Sequence, residues 1–409
     1  MATYSNTFEQ SAGNKKWGTI LTGIGILTLL AGIGLLGFSG DEHSKTRFWA
    51  GLLQNSVYFL LVVNAAMFFL CATTLGFAGF TISFRRVAEA ISTLVPVFGV
   101  LAVIVLLAIV FTDQTHIYHW MDTATRENDK IILGKSGFLS KPFFVIWTIV
   151  SVAGWTIFGA KMRKIGREAD ETAMDTETAK KWLFKNSIHA SLFIVCFGLT
   201  VASTIPWFWL MSIDAHWYST MYSWYVFAST FVAGLALIAL YIIYLKNQGH
   251  LPFTTKEHLH DIGKFMFAFS IFWTYLWFSQ FMLIWYANIP EETEYFRIRM
   301  HGEYRGLFWL NLILNFVTPF LLLMKANAKR NYTIVTFAAV VIIFGHWLDF
   351  YLMVAPSTMK AHGSIGWFEI GVAIGYVGLI ILLVGRGLSK SPLVPMHHPL
   401  LKESIIHHT

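Results

Sequence analysis

Charged residues are scarce in this chain of 409 residues, where they make up 13% of the composition. Soluble domains carry about 25% charged residues, so the composition excludes the soluble enzyme classes. Hydrophobic residues make up 56% of the chain, which predicts an integral membrane protein surrounded by lipid. The net charge of +7 does not indicate a nucleic-acid partner, because the basic residues flank the apolar segments, where they set topology.

Cysteine is also scarce, with two residues, Cys71 and Cys196, placed far apart in apolar segments. The chain contains neither a Cys-x-x-Cys-His motif for covalent haem nor the four cysteines of an iron–sulfur cluster. We therefore assign no metal site and no covalent cofactor to this chain. Any redox cofactor is expected to bind without a covalent bond or to belong to a partner subunit.

Ten long apolar segments predict an all-α polytopic membrane protein with ten transmembrane helices. We divide the single membrane domain, 1–409, into a polar segment (1–16), the ten spans (18–385) and a C-terminal tail (386–409). The first span is treated as a retained anchor rather than a cleaved signal peptide. The predicted spans are 18–39, 48–76, 92–112, 142–161, 187–212, 219–245, 263–288, 305–325, 332–354 and 365–385.

Lysine and arginine are distributed unevenly between the two sides of the predicted spans. With the N-terminus inside, 20 of the 30 basic residues lie on the inner side, most densely between the fourth and fifth spans. The positive-inside rule then predicts that both termini are cytoplasmic. Spans 2–5 and 6–9 suggest two four-helix bundles with two flanking helices, although no internal repeat is visible in the sequence.

Ionisable residues inside the spans gather in the half that this topology places outside. His346 and Asp349 are three positions apart and therefore share one face of the ninth span. Asp214 and His216 follow the fifth span on the same side, and Glu369 lies in the outer half of the tenth. Because a charge in the hydrocarbon core costs at least about 2.5–3.5 kcal/mol, these five residues are candidates for an outer proton relay.

Other interpretations of the polar residues remain open at this stage. Asp214 is also placed to cap its helix, and Asn311 with Asn315 is placed to bond a neighbouring helix. His189 is a candidate inner member of a proton path, in a stripe with Cys196, Thr200 and Ser203 that suits helix–helix contacts equally well. His189 and His346 lie at different predicted depths, which argues against a bis-histidine haem.

Two long segments resemble one family of membrane proteins. They are Trp209-Leu210-Met211-Ser212-Ile213-Asp214-Ala215-His216-Trp217-Tyr218-Ser219-Thr220-Met221-Tyr222 and Phe278-Ser279-Gln280-Phe281-Met282-Leu283-Ile284-Trp285-Tyr286-Ala287-Asn288-Ile289-Pro290-Glu291-Glu292-Thr293. Both resemble the ActF subunits of bacterial alternative complex III, within the NrfD/PsrC-type membrane subunits. The resemblance covers nearly the whole chain.

The resemblance implies a place in a quinol:electron-acceptor oxidoreductase of the bacterial inner membrane. Its implied partners are an ActC-like membrane subunit, an iron–sulfur subunit, c-type haem subunits and a terminal oxidase as electron acceptor. Menaquinol would be the substrate of the complex, and haem c and the iron–sulfur clusters would belong to the partners. We expect this chain to be a non-catalytic subunit that supports proton translocation.

One segment departs from the quinol-binding relatives. They resemble Gly-x-Trp-Leu-Glu-Arg-Phe in the ninth span, whereas this chain has Phe350 in the place of the arginine, after Asp349. The change argues against a quinol-oxidising site, for which His346 and Asp349 are the weak candidates. An independent transporter or ion channel is the other alternative, although the paired Gly/Pro interruptions typical of transporters are not found.

Overall fold

The computed structural model describes residues 6–39, 41–171 and 173–408. Helices make up 82% of the structure, and no strand occurs in the part of the chain that is described. Within those same ranges, ten helices are long and apolar enough to cross a membrane, which confirms the number of predicted spans. We label them α1–α10: Ala12–Gly37, Glu42–Leu75, Gly79–Phe111, Lys141–Glu171, Thr176–Trp209, Tyr222–Asn247, Lys256–Ala287, Gly302–Leu323, Tyr332–His362 and Trp367–Leu388.

Several helices extend well beyond the apolar segments that predicted them. Helix α3 begins about 13 residues earlier than the predicted span, and α4 ends about ten residues later. A helix rises 1.5 Å per residue, so the 31 residues of α4 extend about 46 Å, longer than the hydrocarbon core of about 30 Å. The polar turns at these helix ends therefore extend beyond the length that a hydrocarbon core covers.

Helices α2, α6 and α9 form the centre of the molecule and contact one another. Helix α2 also packs against α3 and α5, while α6 packs against α7. The short segment between α3 and α4 folds into two short helices, Thr123–Asn128 and Lys130–Gly134, and an 11-residue helix, Pro290–Met300, follows α7. This last helix lies against α9, and it positions part of the site described below.

Helices α1 and α10 pack closely against each other through glycine. A Cβ atom added at Gly25 would meet the backbone of Gly375, so the two helices approach closely only because both positions lack a side chain. Nearby, Asn6 Nδ2 donates to the carbonyl of Val394 at 3.0 Å. The two ends of the chain therefore lie on the same side of the molecule, which we call the terminal side.

Candidate functional site

A network of hydrogen bonds surrounds the carboxylate of Asp349, which is 1% exposed, in the half of α9 away from the terminal side. The Nδ2 atom of Asn311 in α8 donates to this carboxylate at 2.9 Å, and the indole Nε1 of Trp273 in α7 donates at 3.0 Å. Two hydroxyl groups of α6 donate as well: that of Tyr225, and that of Ser229 at 3.2 Å. Helices α6–α9 thus each contribute to one buried site.

His346 lies one helical turn before Asp349 and is fully buried. Its Nδ1 atom is 2.9 Å from the hydroxyl oxygen of Ser229 and 3.9 Å from the Asp349 carboxylate. Its Nε2 atom makes no hydrogen bond within the described part of the chain. The Ser229 hydroxyl thus bridges the ring and the carboxylate, an arrangement through which a proton can pass between them.

A pair of asparagines extends the network along α8. Asn315 Nδ2 donates to Asn311 Oδ1 at 2.6 Å, and both residues are buried. A Cβ atom added at Gly345 would collide with the Asn315 amide, so the missing side chain at this position lets α8 and α9 approach. Asn311 therefore hydrogen-bonds Asp349 on the neighbouring helix α9 and Asn315 on its own helix α8. In this way the pair orients the Asp349 carboxylate.

A small polar cavity adjoins the Asp349 carboxylate on the side away from the terminal side. Its volume of about 30 Å³ is enough for one or two water molecules, and its polar lining offers them hydrogen bonds. The polar residues that line it are Tyr222, Tyr225, Gln280, Tyr295, Arg299, Asn311 and Asp349.

Arg299 on the helix Pro290–Met300 closes the far side of this cavity and is 3% exposed. Its Nε atom donates to the carbonyl of Leu352 at 2.9 Å, and its Nη2 atom donates to the Ser357 hydroxyl at 2.9 Å. The guanidinium carbon lies 3.4 Å from the centre of the Tyr295 ring, a cation–π contact. Burial raises the pKa of Tyr295 to about 12, so its hydroxyl stays protonated.

Asp214 connects this cluster to the surface. Its carboxylate accepts a hydrogen bond from Ser357, lies 3.8 Å from Arg299 Nη2, and is 31% exposed. The structure therefore brings three of the predicted residues, His346, Asp349 and Asp214, into one row of polar groups. Sequence reasoning missed Arg299, the residue that joins the last two.

The other three predicted residues lie elsewhere. His216 is largely exposed and bonds Asp129 between α3 and α4, a hydrogen bond that holds the pKa of Asp129 below its usual value. Glu369 is buried and pairs with Arg47 at 2.9 Å. His189 bonds the carbonyl of Lys185 in its own helix at 2.9 Å.

The predicted stripe that contains His189 forms bonds within or next to α5 rather than a continuous row. Thr200 accepts a hydrogen bond from the indole of Trp155 at 2.8 Å and donates to the carbonyl of Cys196 at 2.6 Å. Ser203 donates to the carbonyl of Leu199 at 2.6 Å. These contacts favour the interpretation of the stripe as a helix–helix contact.

A second buried charge cluster lies at the terminal side, where α3 begins. Both oxygens of the Glu89 carboxylate accept hydrogen bonds from arginine, one from Arg85 Nε at 2.9 Å and one from Arg86 Nη1. Arg86 also pairs with Asp170 of α4. Arg163 of α4 donates to the carbonyl of Ser92 at 3.0 Å.

No protein-family model matches the chain, and no curated protein matches it. The proposed function therefore rests on the sequence and on the geometry of the Asp349 network and the Glu89 cluster.

Proposed function

We propose that this chain is a membrane subunit of a quinol:electron-acceptor oxidoreductase of the alternative complex III type. In this proposal it supports proton translocation that is coupled to quinol oxidation in a neighbouring subunit. The observation that carries the proposal is the buried Asp349 carboxylate, which is held by neutral donors beside a cavity of water size. The resemblance to ActF subunits, described from the sequence, supplies the kind of complex.

The polar groups define a route for protons in four steps. A proton on His346 Nδ1 reaches Asp349 through the Ser229 hydroxyl, because the hydroxyl oxygen lies 2.9 Å from His346 Nδ1 and 3.2 Å from the Asp349 carboxylate. Water in the adjoining cavity, of about 30 Å³, can accept the proton from Asp349. From there the partly exposed carboxylate of Asp214 can pass it to the surface.

Arg299 shapes the end of this route without carrying the proton itself, because guanidinium stays protonated in proteins. Its positive charge lies between the cavity and Asp214. A fixed cation at this point repels hydronium and lies 3.8 Å from the Asp214 carboxylate, so it controls when a proton leaves the cavity. Arg299 is therefore a positioning residue that sets the last step.

The small size of the cavity beside Asp349 argues against quinol oxidation at His346 and Asp349, the two candidates for a quinone site. Ligand pockets typically have about 300–1,000 Å³, ten times or more the 30 Å³ found here. Phe350 in place of the arginine of the quinol-binding relatives supports the same assignment.

In the proposed assembly, helices α2–α5 and α6–α9 form two four-helix bundles, flanked by α1 and α10, with both termini in the cytoplasm. The protein would lie in a bacterial inner membrane. Its partners would be an ActC-like subunit, an iron–sulfur subunit, c-type haem subunits and a terminal oxidase. Purification of the tagged chain in mild detergent should then recover c-type haem, iron and quinol:cytochrome c activity. A colourless, inactive chain would contradict the assembly and favour the transporter alternative.

The variant Asp349→Asn tests the proton route in the whole complex. It keeps the size of the side chain but cannot take up a proton, so proton translocation in proteoliposomes should fall by about tenfold or more. The haem content of the complex should not change. Asp129→Asn is the matched control, because Asp129 is a carboxylate between α3 and α4 that bonds His216 instead of the network. Full translocation by the Asp349→Asn complex would refute the route.

A further inference from the structure

The cluster of charges at the terminal side contains more cations than carboxylates. Four arginines, Arg85, Arg86, Arg163 and Arg167, lie around two acids, Glu89 and Asp170. Among the described residues, no carboxylate oxygen lies within 4 Å of Arg163 or Arg167. The cluster therefore has an excess of two positive charges, on partly buried Arg163 and exposed Arg167, and a nearby anion would offset them.

A small pocket lies between α3, α4 and the end of α10. Arg86, Arg163 and Arg167 line it, together with the carboxylate of Glu89, which Arg85 and Arg86 already pair. Arg86 is 4% exposed, and its Nε atom has no hydrogen-bond partner in the described part of the chain. The pocket has about 10 Å³, so one oxygen of an anion fits inside and the rest lies at the mouth beside exposed Arg167.

The pocket lies at the depth of the lipid headgroups. Its residues fall at 86–93, 163–167 and 387–391, at the ends of the apolar segments that begin at 92 or end at 161 and 385. An apolar row continues from the pocket toward the membrane centre on the same face of α3. This row is formed by Val97, Val100 and Ile104, which are 42%, 58% and 59% exposed.

We propose that this pocket binds the phosphate of an anionic phospholipid whose acyl chain lies along the exposed row of α3. The excess positive charge selects the anionic headgroup, and the apolar row provides the surface for a hydrocarbon chain. The lipid would neutralise Arg163 and Arg167, whose charges the chain itself leaves without a close carboxylate. This site is independent of the proton route, since it lies at the other side of the molecule.

Thermal unfolding of the full chain in detergent, titrated with phosphatidylglycerol or phosphatidylcholine, measures the affinity for lipid. A ligand that binds the native state raises the unfolding temperature according to its concentration and dissociation constant. Phosphatidylglycerol should stabilise the chain at lower concentration than phosphatidylcholine. Arg167→Gln should weaken the binding of phosphatidylglycerol about fivefold, and the double variant Arg163→Gln/Arg167→Gln should weaken it about 25-fold.

The matched control is Lys161→Gln/Lys164→Gln, which removes two exposed charges from the same helix outside the pocket. Its affinity for phosphatidylglycerol should change less than about twofold at physiological salt, because exposed charges are screened. Equal weakening by both double variants would overturn the site. Equal stabilisation by the two lipids, or by inorganic phosphate alone, would overturn the assignment to an anionic lipid. Arg167 is exposed, so the single variant tests the site even if the double variant fails to fold.

Discussion

Two buried carboxylates, at opposite sides of the molecule, have different partners. Glu89 at the terminal side accepts hydrogen bonds from two guanidinium groups. Asp349 accepts its hydrogen bonds from an amide, an indole and two hydroxyl groups, all of them neutral, and among the described residues the basic side chain within 4 Å is the His346 ring, at 3.9 Å. The two side chains are buried to a similar degree, since Glu89 is 5% exposed and Asp349 is 1% exposed. Their hydrogen-bond partners are therefore what distinguishes the two carboxylates.

The comparison separates a structural charge from a reactive one. A carboxylate enclosed by cations gains its stability from a fixed negative charge, and the loss of that charge leaves the cations uncompensated. A carboxylate held by neutral donors can change its charge without leaving a buried ion behind. Glu89 therefore holds a fixed charge between Arg85 and Arg86 of its own helix, whereas Asp349 has the neutral surroundings that the proposed proton route requires.

The largest effect is expected when the fixed charge is removed. Glu89→Gln leaves Arg85 and Arg86 without their shared carboxylate, and breaking a buried pair costs about 3–5 kcal/mol of unfolding free energy. Asp349→Asn leaves neutral donors only partly satisfied and should cost about 1–3 kcal/mol. Unfolding in detergent measures both, with Glu168→Gln, an exposed partner of Lys185, as the control. Equal losses of unfolding free energy for Glu89→Gln and Asp349→Asn would show that the two carboxylates do not differ in this way.

An intermediate effect is expected at Arg299. Arg299→Gln removes the guanidinium that donates to Leu352 and Ser357, which should lower the unfolding free energy by about 2 kcal/mol. Proton translocation should fall as well, because Asp214 loses its cation. Arg297→Gln is the control, since Arg297 is exposed on the same short helix and pairs with Glu294. If both variants translocate protons at the same rate, Arg299 does not set the last step.

The smallest effect concerns His398, in the tail beside the Glu89 cluster. Burial, together with Arg85 and Arg86, holds the pKa of His398 well below its usual value of about 6.5. The folded protein therefore keeps this ring neutral, while the unfolded chain binds a proton below about pH 6.5. The stabilisation is fully present above that pH and is lost as the pH falls.

Unfolding temperatures measured between about pH 8 and pH 5 check this sign. His398→Gln should reduce the loss of stability at acid pH, whereas His397→Gln, at an exposed neighbouring position, should leave it unchanged. A wild-type chain that becomes more stable as the pH falls through this range would contradict the assignment.

The number of spans and the pairing of His346 with Asp349 could be predicted from the sequence. Both depend on local periodicity, which fixes the length of an apolar run and the face of a helix. The donors to Asp349 could not be predicted, because Tyr225 and Trp273 are ordinary aromatic residues of apolar spans. Their role comes from the packing of α6 and α7 against α9.

Arg299 was missed for a different reason: it lies between the predicted spans 263–288 and 305–325, whereas the candidates were sought among ionisable residues in or directly beside the spans. A signal was present: Pro290 begins the segment, two glutamates follow it, and two arginines end it, which is the charge order that favours a helix. The pairing of Glu369 could not be predicted, because its partner, Arg47, lies in the first turns of α2, just before the predicted span 48–76, and is 322 positions away in the sequence. Contacts at such separation leave no local pattern.

The close contact of α1 with α10 has a consequence for biogenesis. Gly25 and Gly375 are separated by about 350 residues, and ribosomes add about 5–20 residues per second. The first helix thus waits about 20–70 s in the bilayer before its partner is synthesised. During this interval its glycine face is open to lipid, to other nascent chains and to insertion factors. The tenth membrane helix therefore completes the packing of the first.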